Sequence, residues 1–287
     1  MFPVDHCPVC SGRDLEPYAL NKWRAGSLHF AQAKCIGCGL LIAQPQASEP
    51  DAHSYYAKYY YERHWPDADE LLRQNRLDHS RYELPIIQRL WAGWQQPTKA
   101  TLVEIGCGYG AMLDLFRECG YAVTGCEMSP RAVASCVSRG LTIVQAKSPG
   151  LPFREKTFDV AVALQVIEHV HDPRAFARDL IRLAKPGGLI VIATEDAVNA
   201  QYRWDRFRAR CAGRIPPFRS STDHTFVFRA DHLVRLMQDE GCGEVRTAAF
   251  SYVPFERFHW RAYKGLFRVI DRLSRHGDFL IAVGRRT

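Results

Sequence analysis

The sequence predicts an α/β protein: a doubly wound sheet of seven strands, preceded by a small metal-stapled head. Three observations carry this expectation. Short apolar runs alternate with helix-length patterns from Thr101 onward. The stretch "VEIGCGYGAMLDLF" joins the first run to a helix through glycines at 106, 108 and 110. Four cysteines stand near the start as two CxxC pairs.

In chain order, residues 1–45 hold the pairs Cys7/Cys10 and Cys35/Cys38 and few helix-length patterns, as a small ribbon would. Residues 46–98 form a helical linker or lid. It opens on the tyrosine-rich "SYYAKYYYERHW" and continues as "ADELLRQNRLDHSRYELPIIQRLWAGW", a helix interrupted at Pro85. Residues 99–287 are the sheet domain. Its runs Thr101–Ile105, Ala122–Gly125, Thr142–Val144, Phe158–Leu164 and Leu189–Thr194 suit buried parallel strands, and Glu244–Phe250 and Phe279–Val283 complete the seven. Ser129–Pro130 and Asp172–Pro173 are cap and first-turn pairs, while Gly120, Gly140, Gly187 and Gly241 mark helix ends.

With 47% hydrophobic and 24% charged residues, the composition is that of a soluble globular protein. No apolar run reaches the ~20 residues of a membrane span, and "MFPVDHCPVC" lacks a signal-peptide layout, so a cytoplasmic protein is expected. The net charge of +7 is local. Segments 199–220 and 257–275 carry six basic residues against one acid each, which leaves the remainder at −3. A local anionic partner fits this better than general nucleic-acid coating.

The glycine turn points to a nucleotide-like ligand, because glycines let backbone approach a ligand and the following helix offers free N–H groups. A nucleoside triphosphate is excluded by the missing GK[ST]. A dinucleotide is disfavoured because its third glycine belongs at 111, where this chain has alanine.

"VEIGCGYG", "GCEMSP", "LPFREKTFDVAVALQVIEHVHDP" and "LAKPGGLIVIAT" resemble, in that order, the motifs of class I S-adenosylmethionine-dependent methyltransferases. "LQVIEHVHDP" is particularly similar to the ubiquinone-type O-methyltransferases. The resemblance implies a Rossmann-like seven-stranded sheet ending in an antiparallel pair, and S-adenosyl-L-methionine as methyl donor. It also implies site residues. Gly106, Cys107 and Gly108 would lie along the methionine part, with Glu104 near its ammonium and Gln165 beside it. Glu127 would accept both ribose hydroxyls, and Met128 would pack on adenine. The family often has an aspartate near adenine where Lys147 stands here, so backbone around Ser148 takes that place.

Cys7, Cys10, Cys35 and Cys38 supply four thiolates, the ligand set of a closed, structural Zn2+ site. The head resembles the N-terminal ribbon of bacterial methyltransferases of polysaccharide, sugar and small-molecule pathways. A shorter ribbon also precedes certain rRNA methyltransferases.

If the acceptor is a hydroxyl, a base must take its proton, and His169 and His224 stand after sheet strands in suitable places. A divalent ion on Glu168 and a neighbour is the alternative that ubiquinone-type relatives suggest. The arginines of 199–220 lie where the fold builds its acceptor lid, which favours a small anionic acceptor: a sugar, nucleotide-sugar or lipid-linked metabolite. Residues 257–275 read as a basic amphipathic segment able to touch an anionic membrane. The second enzyme reading is an RNA methyltransferase gripping RNA with the ribbon and arginines. The third is a decayed methyltransferase domain that only binds cofactor.

Overall fold

The protein, as a computed structural model, is described at residues 4–25, 28–46, 48–56, 60–61, 67–94, 97, 99–197, 200–213, 224–251 and 277–287. The basic segment 257–275 lies outside the described residues, as does 214–220 of the arginine-rich insert.

All seven expected strands form one sheet. They are β4 (Thr101–Ile105), β5 (Ala122–Glu127), β6 (Thr142–Gln145), β7 (Phe158–Leu164), β8 (Ala184–Glu195), β10 (Cys242–Phe250) and β11 (Phe279–Arg286). The order is β10-β11-β8-β7-β4-β5-β6; β11 pairs antiparallel with both β10 and β8, and the other pairings are parallel. Strand β8 starts earlier than expected because Ala184 already pairs with Phe158, ahead of a register shift.

The head is a three-stranded antiparallel ribbon: β1 (Leu15–Ala25), β2 (Leu28–Cys35) and β3 (Leu41–Gln44). Its outer edge is taken by β9 (Phe226–Val227), a two-residue strand from the far end of the chain.

Strand alternation sends side chains to opposite faces of the sheet. One face packs Val103, Ile105, Ala161 and Ile190 against Phe176 and Leu180 of α6 (Pro173–Leu183) and Leu233 of α8 (Ala230–Asp239). The head residues Cys7, Cys35, Leu40 and Ile42 belong to this same core. The other face packs Leu102, Val160 and Val191 against Ile87 of α3 (Leu84–Leu90) and Met112 and Phe116 of α4 (Ala111–Glu118).

The expected caps form. The Ser129 side chain accepts from Ala132 N–H at the start of α5 (Pro130–Ser138), and Asp172 accepts from Arg174 and Ala175 N–H. The expected interruption at Pro85 does not occur. Helix α2 (Ala68–Asp78) passes through a five-residue π-turn, His79–Glu83, directly into α3, and Pro85 sits in the first turn of α3 where its missing N–H is tolerated. Two further helices are α1 (Glu49–Ser54) and α7 (Ala200–Cys211). Among the described residues no helix is long and apolar enough to cross a membrane.

Candidate active site

A cavity of about 520 Å³ opens at the carboxyl ends of β4, β5 and β7. Its floor is the glycine turn. Gly106, Gly108 and Gly110 have φ of +71°, +51° and +75°, the left-handed region that side chains disfavour. A Cβ on Gly106 would stand 2.5 Å from Val166 Cγ2. Gly106→Ala therefore combines overlap with a backbone cost of about 1–2 kcal/mol. It is expected to weaken S-adenosylhomocysteine binding about tenfold by calorimetric titration; affinity within twofold of the native chain would show the turn unimportant.

Glu127 ends β5 almost fully buried, and its carboxylate organises the turn. Oε2 accepts Gly108 N–H at 2.9 Å, and Oε1 accepts Met128 and Ser129 N–H at 2.8 Å each. Burial raises its carboxyl above the ordinary range, while these backbone N–H groups oppose the shift. Glu104, on β4, is buried with Oε2 unpaired. Burial raises its carboxyl well above the ordinary range, reinforced by Cys136, Glu127 and Glu83. Gln165 leaves β7 with φ +55°, strained for a residue with a side chain, and its buried Nε2 makes no hydrogen bond.

The structure brings together all but one of the residues expected around the donor and acceptor. Glu104, Gly106, Cys107 and Gly108 line the cavity, as do Glu127, Met128, Ser148, Gln165 and His169. His224 does not line it; it stands behind His169, ring to ring at 4.6 Å. His169 Nδ1 is 2.7 Å from Tyr56 Oη, and His224 Nδ1 is 3.1 Å from Glu195 Oε2. Tyr56, His169, His224 and Glu195 thus form one polar chain leading away from the cavity. Beneath it Glu168 is fully buried, neither oxygen hydrogen-bonded, and burial lifts its carboxyl to about 7 despite the His224 charge. Ligand atoms of Glu168, His169 and His224 lie within 4.8 Å of one another.

Sequence reasoning missed part of the wall. Tyr61 covers the turn, its Oη 3.1 Å from where a Gly108 Cβ would be, and stacks edge-on to Tyr109. Leu71, Asn75 and His79 also line the cavity, and their spacing of four was the available signal. His79 is held by Glu83, 2.9 Å away and fully buried. None of the four arginines of α7 lines the cavity. Arg206 lies 4.0 Å over the Tyr18 ring of β1, and Arg203, Arg208 and Arg210 are exposed. The three exposed guanidinium groups keep their hydration, while Arg206 is partly desolvated against the ring.

The head fits the metal expected of it. Cys7 and Cys38 sulfurs are 3.5 Å apart, Cys10 and Cys35 sulfurs 3.4 Å, and all four sulfurs lie within 4.8 Å. A tetrahedral Zn2+ with bonds of about 2.3 Å needs sulfurs about 3.8 Å apart, within reach of a small adjustment. With no metal the Cys10 thiol is raised by burial and the Cys38 thiol by its bond to Cys7 and by burial, so metal binding would release protons.

A methyltransferase domain family model matches residues 71–247. A probable S-adenosylmethionine-dependent methyltransferase of Mycobacterium tuberculosis is 28% identical over 186 residues, 64% of this chain and 59% of that one. The chain therefore spans about three-fifths of the length of this relative. A ubiquinone biosynthesis O-methyltransferase of Caulobacter vibrioides is 36% identical over 101 residues, covering 33% of this chain and 40% of that one. Among solved structures, a Thermotoga maritima S-adenosylmethionine-dependent methyltransferase superposes with a TM-score of 0.54 at 20% identity. It covers 79% of this chain and 98% of its own, a likeness of fold.

Proposed function

The chain belongs to this methyltransferase domain family, and on that premise we propose that it transfers a methyl group from S-adenosylmethionine to a hydroxyl of a small anionic acceptor. A sugar, a nucleotide-sugar or a lipid-linked metabolite is the acceptor class. The observation that carries the reading is the cavity itself, lined by the left-handed glycine turn, Glu127 and His169. S-adenosylmethionine supplies an electrophilic methyl group on a sulfonium when bound. Everything else is positioning and proton handling by the chain.

Glu104 and Gln165 carry unsatisfied buried polar atoms on the β4–β7 side, where an ammonium and a carbonyl-rich ligand end would satisfy them. Glu127 and Met128 lie on the β5–β6 side and suit the ribose and adenine. His169 faces the cavity and takes the acceptor's proton. Tyr56 fixes its ring from one side, and His224, oriented by Glu195, backs it from the other. Support for an anionic acceptor is electrostatic: Lys147 lines the cavity, and the exposed arginines of α7 add positive potential that draws anions in. A structural Zn2+ on the four head cysteines completes the reading.

The test is S-adenosylhomocysteine release with a panel of sugar phosphates and nucleotide-sugars, together with calorimetric titration. His169→Ala is expected to lose at least about 100-fold in turnover with donor affinity preserved, and His224→Ala about tenfold. Unchanged turnover in His169→Ala removes it from the proton transfer. Turnover abolished by EDTA and restored by Mg2+ assigns the role to a divalent ion on Glu168 and the histidines instead. Saturable RNA binding with a steep salt slope favours an RNA acceptor.

A further inference from the structure

Thr225 is a bridge between the head and the proton-transfer site. Its N–H donates to the Glu168 carbonyl at 2.6 Å, and its own carbonyl accepts the Ala43 N–H of β3 at 2.8 Å. Phe226 N–H donates to the same Glu168 carbonyl at 3.3 Å, and Leu41 with Val227 and Ile42 with Phe226 extend the β3–β9 ladder. His169 directly follows Glu168, and His224 directly precedes Thr225. The bridge thus sits at the backbone junction of the two histidines.

Strand β9 has two residues, too few to hold a shape alone. Beyond β9, Phe228 is tied to the large sheet by its bridge to Asp196 and by Ala197 N–H on its carbonyl at 2.7 Å. Towards His224, the backbone is held by β3 and by the Glu168 carbonyl. Strand β3 is itself only four residues long, and its path is set by the cysteine turn before it. Cys35 N–H donates to the Leu40 carbonyl at 2.9 Å, and Gly39 N–H to the Cys35 carbonyl at 2.8 Å.

The chain just after β9 is locked to the same turn. Arg229 Nη2 and His232 Nε2 each reach the Cys38 carbonyl at 2.9 Å. His232 Nδ1 accepts Arg229 N–H, so the ring proton is on Nε2 and donates to Cys38. Cys38 thus anchors the start of α8 while β3 anchors β9. The Cys38 contacts lie in the loop that carries two of the four sulfurs, and β3 follows that loop after two residues.

From this connectivity we infer that the cysteine head is a positioning part of the proton-transfer site. With a metal on its four thiolates, the Cys35–Cys38 turn and β3 hold Thr225, and Thr225 holds the Glu168 carbonyl so that the His169 and His224 rings meet. The inference rests on the reading of these histidines given above, but the coupling itself is measured without turnover. Loss of the metal is expected to loosen residues 224–227 before the donor-binding strands. Among the described residues the hydrogen bonds from the head go to Thr225, β9, Arg229, His232 and Arg174, whereas β4 and β5 meet it only through the apolar core.

The experiment is hydrogen exchange on the full chain loaded with Zn2+, compared with the chain stripped by chelator and then reloaded. Exchange at Thr225 and Phe226 is expected to accelerate at least about tenfold on stripping, with β4 and β7 unchanged and reversal by Zn2+. Calorimetric affinity for S-adenosylhomocysteine should stay within about threefold, since its residues lie on other strands. Unchanged exchange at Thr225 and Phe226 in the stripped chain overturns the coupling. If stripping loosens the whole sheet, Ala43→Pro decides. It keeps all four cysteines and removes the N–H donated to Thr225. That variant should retain Zn2+ yet show the same local acceleration and altered ring 15N shifts of His169 and His224. Retained protection at Thr225, or unmoved ring shifts, overturns the positioning role. Failure of the native chain to bind S-adenosylhomocysteine would defeat the proposed function while leaving the exchange result standing.

Discussion

Glu127→Ala is expected to weaken S-adenosylhomocysteine binding by about 100-fold or more in calorimetric titration. Two losses combine. A ribose hydroxyl bonded to a buried carboxylate contributes roughly 1.5–3 kcal/mol, and both hydroxyls of the diol point at this residue in the proposed pose. Truncation also strips the Gly108, Met128 and Ser129 N–H groups of their acceptor, so the turn that approaches the ligand loosens. Those three bonds limit how the ribose can bind. Oε1 already accepts two N–H groups and Oε2 one, so the diol meets one open site on Oε2 and must share with Gly108 N–H for its second bond. Glu127→Gln keeps the shape and one acceptor oxygen, and should lose about tenfold. The pH dependence has a defined sign. Burial holds the carboxyl above its ordinary range in the empty cavity, whereas hydroxyl donors favour the ionised form. Binding therefore releases a proton, and affinity should rise as pH climbs through the carboxyl's titration, then level off. The glutamine variant should show a flatter curve. Equal affinity for the native chain and Glu127→Ala would remove the residue from the donor site.

The parts of this molecule that were legible in the sequence are those encoded within a few residues. The apolar runs at Thr101, Phe158 and Leu189 became central strands because a strand buried on both faces needs no alternation. Ser129 and Asp172 cap their helices through contacts three residues away or less. The glycine turn announced itself because only glycine takes three positive φ values so close together at no cost. What stayed hidden depends on distant partners. Phe226–Val227 carries no periodicity, and its strand exists because Leu41 and Ile42 lie beside it. Arg229 meets Cys38 across 191 positions of sequence. The π-turn at His79–Glu83 is a register adjustment that places His79 on the cavity and Glu83 in the core, and composition does not signal it. The arginine-rich insert shows the limit of charge as a signal: a run of like charges says that a segment is solvated, not which way it faces. Helix α7 puts Arg206 on the ribbon's Tyr18 and leaves its other described arginines in water.

Arg174→Ala is expected to cost about 3 kcal/mol of stability, and the reason is that one guanidinium joins the head to two helices. Nε donates to the Pro8 carbonyl at 3.1 Å and Nη2 to the Val9 carbonyl at 2.8 Å, both within the first cysteine knuckle. Nη1 and Nη2 also reach Glu240 and Asp239 beside the end of α8, at 2.9 Å each. The arginine side chain is only 26% exposed and that of Glu240 8%, so solvent replaces these partners poorly. Charge-assisted bonds contribute roughly 1.5–3 kcal/mol each and do not add fully within one network, which sets the figure. For a chain of this size that corresponds to a melting temperature lower by roughly 5–10 °C. Arg178→Ala is the control, because Arg178 shares Glu240 but is itself 63% exposed and, among the described residues, makes its hydrogen bonds to Glu240 rather than to the head. Its loss should fall below about 1 kcal/mol. Arg174→Lys should recover little, since an ammonium cannot span two knuckle carbonyls and two carboxylates with the fixed fork of a guanidinium. A melting temperature for Arg174→Ala equal to that of Arg178→Ala would mean that Glu240, not the knuckle, is what the arginine serves, and that the head holds to the sheet domain through β3, the Cys38 carbonyl and its core instead.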